Sequence, residues 1–188
     1  MLIILPVIKI SHMSHIHSFA PLEHENARVL ILGSMPGVAS LRAAEYYAHP
    51  RNHFWRMMGA LISLDPAADY EHRINALKAS RIALWDVLHS CKREGSLDSS
   101  IDKATQTAND FQGFFSRHQH ITHVFFNGAA AEQIYRRAVL PALKVQHLEY
   151  LRLPSTSPAN ASFSFARKLE AWSAIQLCEQ AGSSRVGA

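Results

Sequence analysis

A chain of 188 residues that is 48% hydrophobic and 18% charged can bury one ordinary core, and it lacks the polar excess of a disordered protein. Nineteen basic against 15 acidic side chains leave a net charge of +4, a mild excess that suits a polyanionic partner without demanding one. The only cysteines, Cys91 and Cys178, exclude a disulfide framework, a four-cysteine zinc site and an iron–sulfur cluster, and they fit buried thiols in a reducing cytoplasm.

The apolar opening, residues 1–8, has no basic lead, is broken by Pro6 and is too short to span a bilayer, so neither a signal peptide nor a membrane anchor is expected. Met13 is a plausible start of translation, which makes residues 1–12 a loose tail and 14–25 a polar lead-in. The run 28–33 reads as a buried strand, 52–62 as a helix after Pro50, 70–79 as a helix and 82–88 as a second strand. The polar stretch 90–109 has no clear period and is expected to be a long loop, a rare feature that is often functional. Beyond it the pattern predicts a helix over 110–118 capped by Asn109, a strand over 121–126, a helix over 129–138 ending before Pro141, a strand over 148–153 and a last helix over 163–181. Such alternation predicts a parallel sheet covered on both faces. One domain over 25–181 follows, with 1–24 as tail or lead-in and 182–188 as a frayed end.

Two loops stand out. Gly33-Ser-Met-Pro-Gly37 ends the first predicted strand, and an aromatic pair, a basic residue and an amide follow it in Tyr46-Tyr-Ala-His-Pro-Arg-Asn52. Leu153-Pro-Ser-Thr-Ser-Pro-Ala-Asn160 leaves a later strand and opens a helix. Loops at the carboxyl ends of parallel strands are where open α/β sheets build their ligand crevice, so both are expected at one site. The twelve histidines include no convincing zinc spacing, and Gly33 to Gly37 lacks the Gly-Lys-Ser/Thr ending of a phosphate-binding loop. No metal and no cofactor are expected.

In their order these segments, together with Ile82-Ala-Leu-Trp-Asp-Val-Leu88 and Glu94-Gly-Ser-Leu-Asp-Ser-Ser-Ile101, resemble the uracil-DNA glycosylase superfamily. Within it the chain is similar to the mismatch-specific uracil/thymine branch and more so to the hypoxanthine (deoxyinosine) DNA glycosylases. The resemblance implies a three-layer α/β/α fold with a central four-stranded, mainly parallel sheet. It also implies a monofunctional, monomeric enzyme in the cytoplasm of a prokaryote, nucleoid-associated when acting on DNA. Such an enzyme flips out a deaminated base, preferentially hypoxanthine, and hydrolyses its N-glycosidic bond. A uracil/thymine mismatch glycosylase and a catalytically weak damage-binding module are the alternatives.

Carried over by position, the resemblance makes Asn52 the catalytic amide, a residue that an N-cap role would also explain. Tyr47 becomes the stacking aromatic, while Tyr46 is expected to pack inward. Asp86 falls where uracil enzymes read the base with Asn, and its carboxylate would accept the N1–H of hypoxanthine; capping a loop or pairing with an Arg is the other role open to it. Ser34, Met35 and Asn127 are further base-pocket residues. Met35 departs from the Asp or Asn that relatives use to hold water, since a thioether orients water poorly. Gly33, Pro36, Arg51, Pro154, Ser155, Thr156, Ser157, Pro158 and Asn160 are the expected DNA contacts, the second loop serving as phosphate pinch and wedge. That loop has no histidine, which leaves the donor to the departing base unnamed. No lysine falls in a matching motif, against a Schiff-base lyase.

Overall fold

The computed structural model describes residues 14–176. The expected tail over 1–12, the alternative start at Met13, Cys178 and the end over 182–188 lie outside the described residues.

Four strands form the central sheet: β2 (Val29–Gly33), β3 (Ile82–Asp86), β6 (His123–Asn127) and β7 (Glu149–Leu153), in the order β3-β2-β6-β7 and all parallel. Every residue of β2 and β3 is buried, as a sheet covered on both faces requires. Alternate side chains feed two cores. Leu30, Leu32, Ala83, Trp85, Val124 and Phe126 join one core with α4 (Phe111–Arg117) and α5 (Ala129–Ala138). Val29, Ile31, Ile82, Leu84 and Phe125 join the other with α2 (Phe54–Ile62), α3 (Tyr70–Ala79) and α6 (Phe165–Trp172). The three layers agree with the expected fold, and α3 and α5 coincide with the predicted spans. The predicted 163–181 helix extends past residue 176, outside the described residues. A short helix, α1 (Val38–Ala43), follows the first loop and was not expected.

The stretch expected to be a long loop is a second sheet. β4 (Leu88–Arg93) pairs antiparallel with β1 (Ser14–His17) and with β5 (Thr107–Ala108), and two short 3-10 turns, Asp98–Ser100 and Lys103–Thr105, lie between β4 and β5. The polar lead-in is therefore part of the fold from Ser14 onward. The predicted strand over 82–88 is divided at Val87, whose N–H donates to Gly33 O at 2.8 Å as the chain passes from one sheet to the other. The signal was hidden because β4 buries Ser90 and Arg93 beside Leu88 and Cys91, which breaks apolar alternation. The cap of α4 is also corrected: Asp110, not Asn109, accepts the Gly113 N–H at 2.8 Å. Asn109 instead donates Nδ2 to Asp86 O at 2.9 Å.

Gly128 sits between β6 and α5 at φ 100°, in the left-handed region, and a Cβ there would stand 2.8 Å from Ser155 Cβ. Gly128→Ala is expected to cost about 1–3 kcal/mol, measured as a lowered midpoint in urea unfolding with unchanged slope.

Candidate active site

All four carboxyl ends of the parallel strands open on one cavity of about 150 Å³, a volume that admits an aromatic ring. β2 delivers the loop 33–37, β3 delivers Asp86, β6 delivers Asn127 and β7 delivers the loop 154–158. Tyr47, His49 and Asn52 close the side nearest α2, and Ser96 and Asp98 close the side nearest β4. Twelve of the fifteen expected site residues border this space; Arg51, Pro154 and Asn160 stand outside its lining.

The two loops are locked together by Asn127 and Thr156. The Asn127 amide accepts the Thr156 N–H at 2.8 Å and donates to Thr156 Oγ1 at 2.9 Å, while Thr156 O accepts the His53 N–H at 3.0 Å. Thr156 is fully buried, so every polar group it has is consumed in joining β6, the second loop and the start of α2. Trp172 Nε1 donates to Pro154 O at 2.9 Å, Asn160 Nδ2 to Ser155 O at 3.2 Å, and the buried Lys168 Nζ to Asn160 O at 2.8 Å. Ser155 and Ser157 remain half-buried and Pro158 exposed. Their hydroxyl oxygens accept the N–H groups of Ser157 and Ala159, each at 3.2 Å, which leaves both hydroxyl hydrogens available to donate.

Asn52 Oδ1 accepts the Phe54 N–H at 3.0 Å, satisfying a free donor at the start of α2 as a cap would. Its Nδ2 makes no hydrogen bond among the described residues, and the residue borders the cavity. Tyr47 adopts φ 55°, a left-handed conformation in a bulky residue, and such strain commonly marks functional positions. Its ring lies on Phe54 with centroids 4.1 Å apart and planes 21° apart. The hydroxyl is buried beside the Asn127 amide without a well-formed hydrogen bond, and burial followed by the nearby Asp86 carboxyl pushes its pKa up. Tyr46 packs inward as expected, receiving Trp55 Nε1 on its carbonyl at 2.9 Å.

Gly33 is backbone scaffolding: a Cβ there would lie 2.4 Å from Asp86 Oδ1 and 3.1 Å from the Tyr47 hydroxyl. Pro36 is buried and its carbonyl accepts from Arg93 Nη2. Met35 is 6% exposed and belongs to the core on the α4 face, so it shapes the floor. Arg51 lies on an exposed turn next to the mouth.

Asp86 is 3% exposed, its Oδ2 has no hydrogen-bond partner, and its pKa is raised to about 8 by burial first and by the charge of Asp98 second, with Arg93 opposing. At neutral pH the group is therefore mostly a neutral acid. In that form the group offers one O–H donor and one C=O acceptor, where the sequence led to the expectation of an acceptor-only carboxylate.

Asp98 was not singled out from the sequence, although it lies in the quoted Glu94–Ile101 segment and in the polar stretch flagged as functional. Ser34 Oγ donates to its Oδ1 at 2.6 Å. Arg93, 2% exposed, ties this wall to the first loop by donating Nε to Gly95 O at 2.9 Å and Nη2 to Pro36 O. No lysine borders the cavity. Among the described residues no three His, Cys, Asp or Glu side chains are grouped to hold a metal ion, and no helix is long and apolar enough to cross a membrane.

Comparison with known proteins agrees with this geometry. Residues 20–176 match the family model described as the Uracil DNA glycosylase superfamily. The hypoxanthine DNA glycosylase of Methanosarcina barkeri (strain Fusaro / DSM 804) is 37% identical over 151 residues, covering 80% of this chain and 91% of that protein. The protein of the same name from Methanosarcina acetivorans is 40% identical over 153 residues with the same coverage. A solution NMR structure of a Methanosarcina acetivorans protein, titled as a candidate uracil DNA glycosylase, superposes with a TM-score of 0.74 at 36% identity, covering 88% of this chain and 99% of that one.

Because Asp86 binds its proton more tightly in the folded chain than an exposed aspartate does, the native state holds more protons than the unfolded state between about pH 4 and pH 8. Stability contributed by this group therefore falls as pH rises through that window. Asp86→Asn escapes the penalty. Its stability relative to the parent chain is expected to rise by a few kcal/mol from pH 4 to pH 8, read from urea melts at each pH; a difference that does not change with pH is the contrary result.

Proposed function

Since the chain belongs to the Uracil DNA glycosylase superfamily and is a DNA glycosylase, hydrolysing N-glycosidic bonds, we propose that it acts on deaminated bases and prefers hypoxanthine. The observation that carries this reading is the buried Asp86 carboxyl, with an unpartnered oxygen and surroundings that favour its neutral form, in a cavity bordered by Tyr47 and Asn52. Hypoxanthine presents an N1–H donor beside an O6 acceptor. A carboxylic acid meets both at once, accepting N1–H on its carbonyl and donating its O–H to O6. The O–H bond strengthens as negative charge spreads onto the departing base, so Asp86 also supplies the leaving-group donor that the second loop lacks.

The flipped base loses stacking and pairing worth a few kcal/mol, and Tyr47, braced from behind by Phe54, returns an aromatic surface. Asn52, just before the cap position His53, keeps Oδ1 on the first helical N–H and offers Nδ2 toward the sugar or the attacking water, so one residue both closes the helix start and serves as the catalytic amide. With no lysine at the cavity, water is the nucleophile and the enzyme is monofunctional. At the rim of the cavity, the hydroxyls of Ser155 and Ser157 and the exposed Arg51 beside it face the DNA backbone, and Pro158 stiffens the loop that enters the gap left by the base. Gly33, Pro36, Thr156 and Asn127 serve as scaffold for those contacts.

Uracil is the rival substrate, because its N3–H and O4 present the same donor and acceptor to Asp86. Single-turnover release from otherwise identical duplexes carrying hypoxanthine, uracil or xanthine separates the two, and hypoxanthine is expected to be released fastest; dominant uracil release reverses the preference. Asn52→Ala is expected to lower the single-turnover rate about 100-fold while leaving affinity for an uncleavable duplex within a few-fold, and unchanged turnover removes Asn52 from the chemistry. Asp86→Asn, which keeps one donor and one acceptor, is expected to retain activity within about tenfold, whereas Asp86→Ala loses about 100-fold or more. Equal loss in both variants shows that an ionised carboxylate is required instead.

A further inference from the structure

Hydrolysis requires a group to take the proton of the attacking water, and the cavity offers few. Asn52 is an amide and Met35 a thioether, neither of which accepts a proton at neutral pH. His49 Nδ1 accepts the Arg51 N–H at 3.1 Å, which puts the proton of the neutral ring on Nε2 and removes its acceptor. Asp86 already carries a proton at pH 7. Tyr46 and Tyr47 hold their protons more firmly than a free tyrosine, burial pushing both pKa values up, and Asp98 is the ionisable side chain of the lining that remains.

We propose that Asp98, held by Ser34 at the mouth of the cavity, is the catalytic carboxylate that orients the water and takes its proton. The inference rests on the hydrolytic reading above. Ser34 Oγ donates to Oδ1 at 2.6 Å, Oδ2 has no hydrogen bond among the described residues, and the residue borders the cavity. The residue is exposed at its outer edge, where water reaches it. Asp86 and Asp98 form a coupled pair in which the charge on Asp98 helps keep Asp86 protonated. Burial raises the pKa of both carboxyls, but Asp98 is exposed and receives the Ser34 hydrogen bond that favours its charged form, whereas Asp86 is enclosed, so Asp98 is the one suited to act as base and Asp86 as donor.

In the step, the water oxygen bonds to C1′ as the C1′–N9 bond breaks, and that electron pair leaves with the base. The water proton passes to Asp98, while Asp86 O–H holds O6 of the departing anion. Asp98 then returns its proton through solvent to the base, so the products are the C1′ hydroxyl of the abasic sugar and neutral hypoxanthine. Until C1′ is attacked, the negative charge of Asp98 also favours the developing positive charge on the sugar.

The charged and titratable groups around Asp98 are Asp86 from β3, Arg93 and Cys91 from β4, and Tyr47 beyond the first loop. Packing about its carboxyl raises its pKa, and the Ser34 hydrogen bond and Arg93 oppose this. The rate of the parent enzyme is therefore expected to fall as pH drops through the ionisation of Asp98. Single-turnover rates from pH 4 to pH 9 on the three duplexes test the assignment. D98N is expected to lose about 100-fold or more at pH 7 and to lose the acid limb, while binding an uncleavable 2′-fluoro-deoxyinosine duplex within about threefold. D98E restores part of the rate, and S34A moves the acid limb to higher pH by removing a bond that favours the charged form. A D98N enzyme within about threefold of the parent, or one that keeps the acid limb, overturns the role of Asp98; an unmoved limb in S34A overturns the role of Ser34. Rates are scored on whichever base the parent enzyme releases, so a uracil preference overturns the substrate reading alone.

Discussion

A carboxyl buried at the end of a central strand constrains everything around it. Asp86 leaves β3 facing β2, opposite Gly33 in the parallel register, and the space its oxygen occupies is the space a Cβ at position 33 would take. The first loop therefore begins at a glycine because of the neighbouring strand, independently of any need for turn flexibility. Burial drives the carboxyl to its neutral form, and a neutral acid can serve a base edge that shows a donor and an acceptor side by side. Arg93, itself buried, stands close enough to moderate the shift without forming a direct ion pair, its hydrogen bonds going to the carbonyls of Pro36 and Gly95. A direct pair would have ionised Asp86 and removed the donor.

Rigidity around that carboxyl comes from motif residues turned inward. Thr156 and Asn127 share two hydrogen bonds, and Thr156 adds a third to the head of α2, so sequence segments from the middle and both ends of the fold meet in one small buried unit. Lys168 and Trp172, on α6, hold the second loop by its carbonyls. A loop fixed in this way keeps its surface hydroxyls in place before DNA arrives, which reduces the ordering cost of binding. The strained backbone of Tyr47 fits the same logic, since Phe54 and the surrounding contacts over-determine a conformation that the residue alone would avoid.

The small antiparallel sheet gives the site its fourth wall. β4 continues from β3 after one residue, and the chain beyond it turns back through Gly95 so that Ser96 and Asp98 overhang the first loop; Ser96 Oγ accepts the Val38 N–H at 2.9 Å. The cavity is thus enclosed by the central sheet and its loops on three sides and by this excursion on the remaining one. Asp98 and Asp86 are only twelve positions apart in the chain, yet they are placed by two different sheets, which lets their environments differ as the chemistry requires.

Much of this was legible in the sequence where local pattern and global fold agree. The continuous apolar runs of β2 and β3, the helical periods of α3 and α5, and the Gly/Pro loops at strand ends each carry their structural reason within a few residues, as does Asn52, whose bond to the first N–H of α2 follows from its place two residues before Phe54. The small sheet was hidden because a strand that buries an arginine and a serine has no apolar alternation to read. The use of Thr156, Asn127 and Gly33 as scaffold, the protonation of Asp86 and the placement of Asp98 belonged to the tertiary structure alone, because a pKa and a hydrogen-bond partner are set by atoms that lie dozens of residues away in the chain. Sequence determined which chemical groups were available and in what order; folding decided which were spent on holding the site and which were left facing it, since burial and proximity are properties of the packed whole.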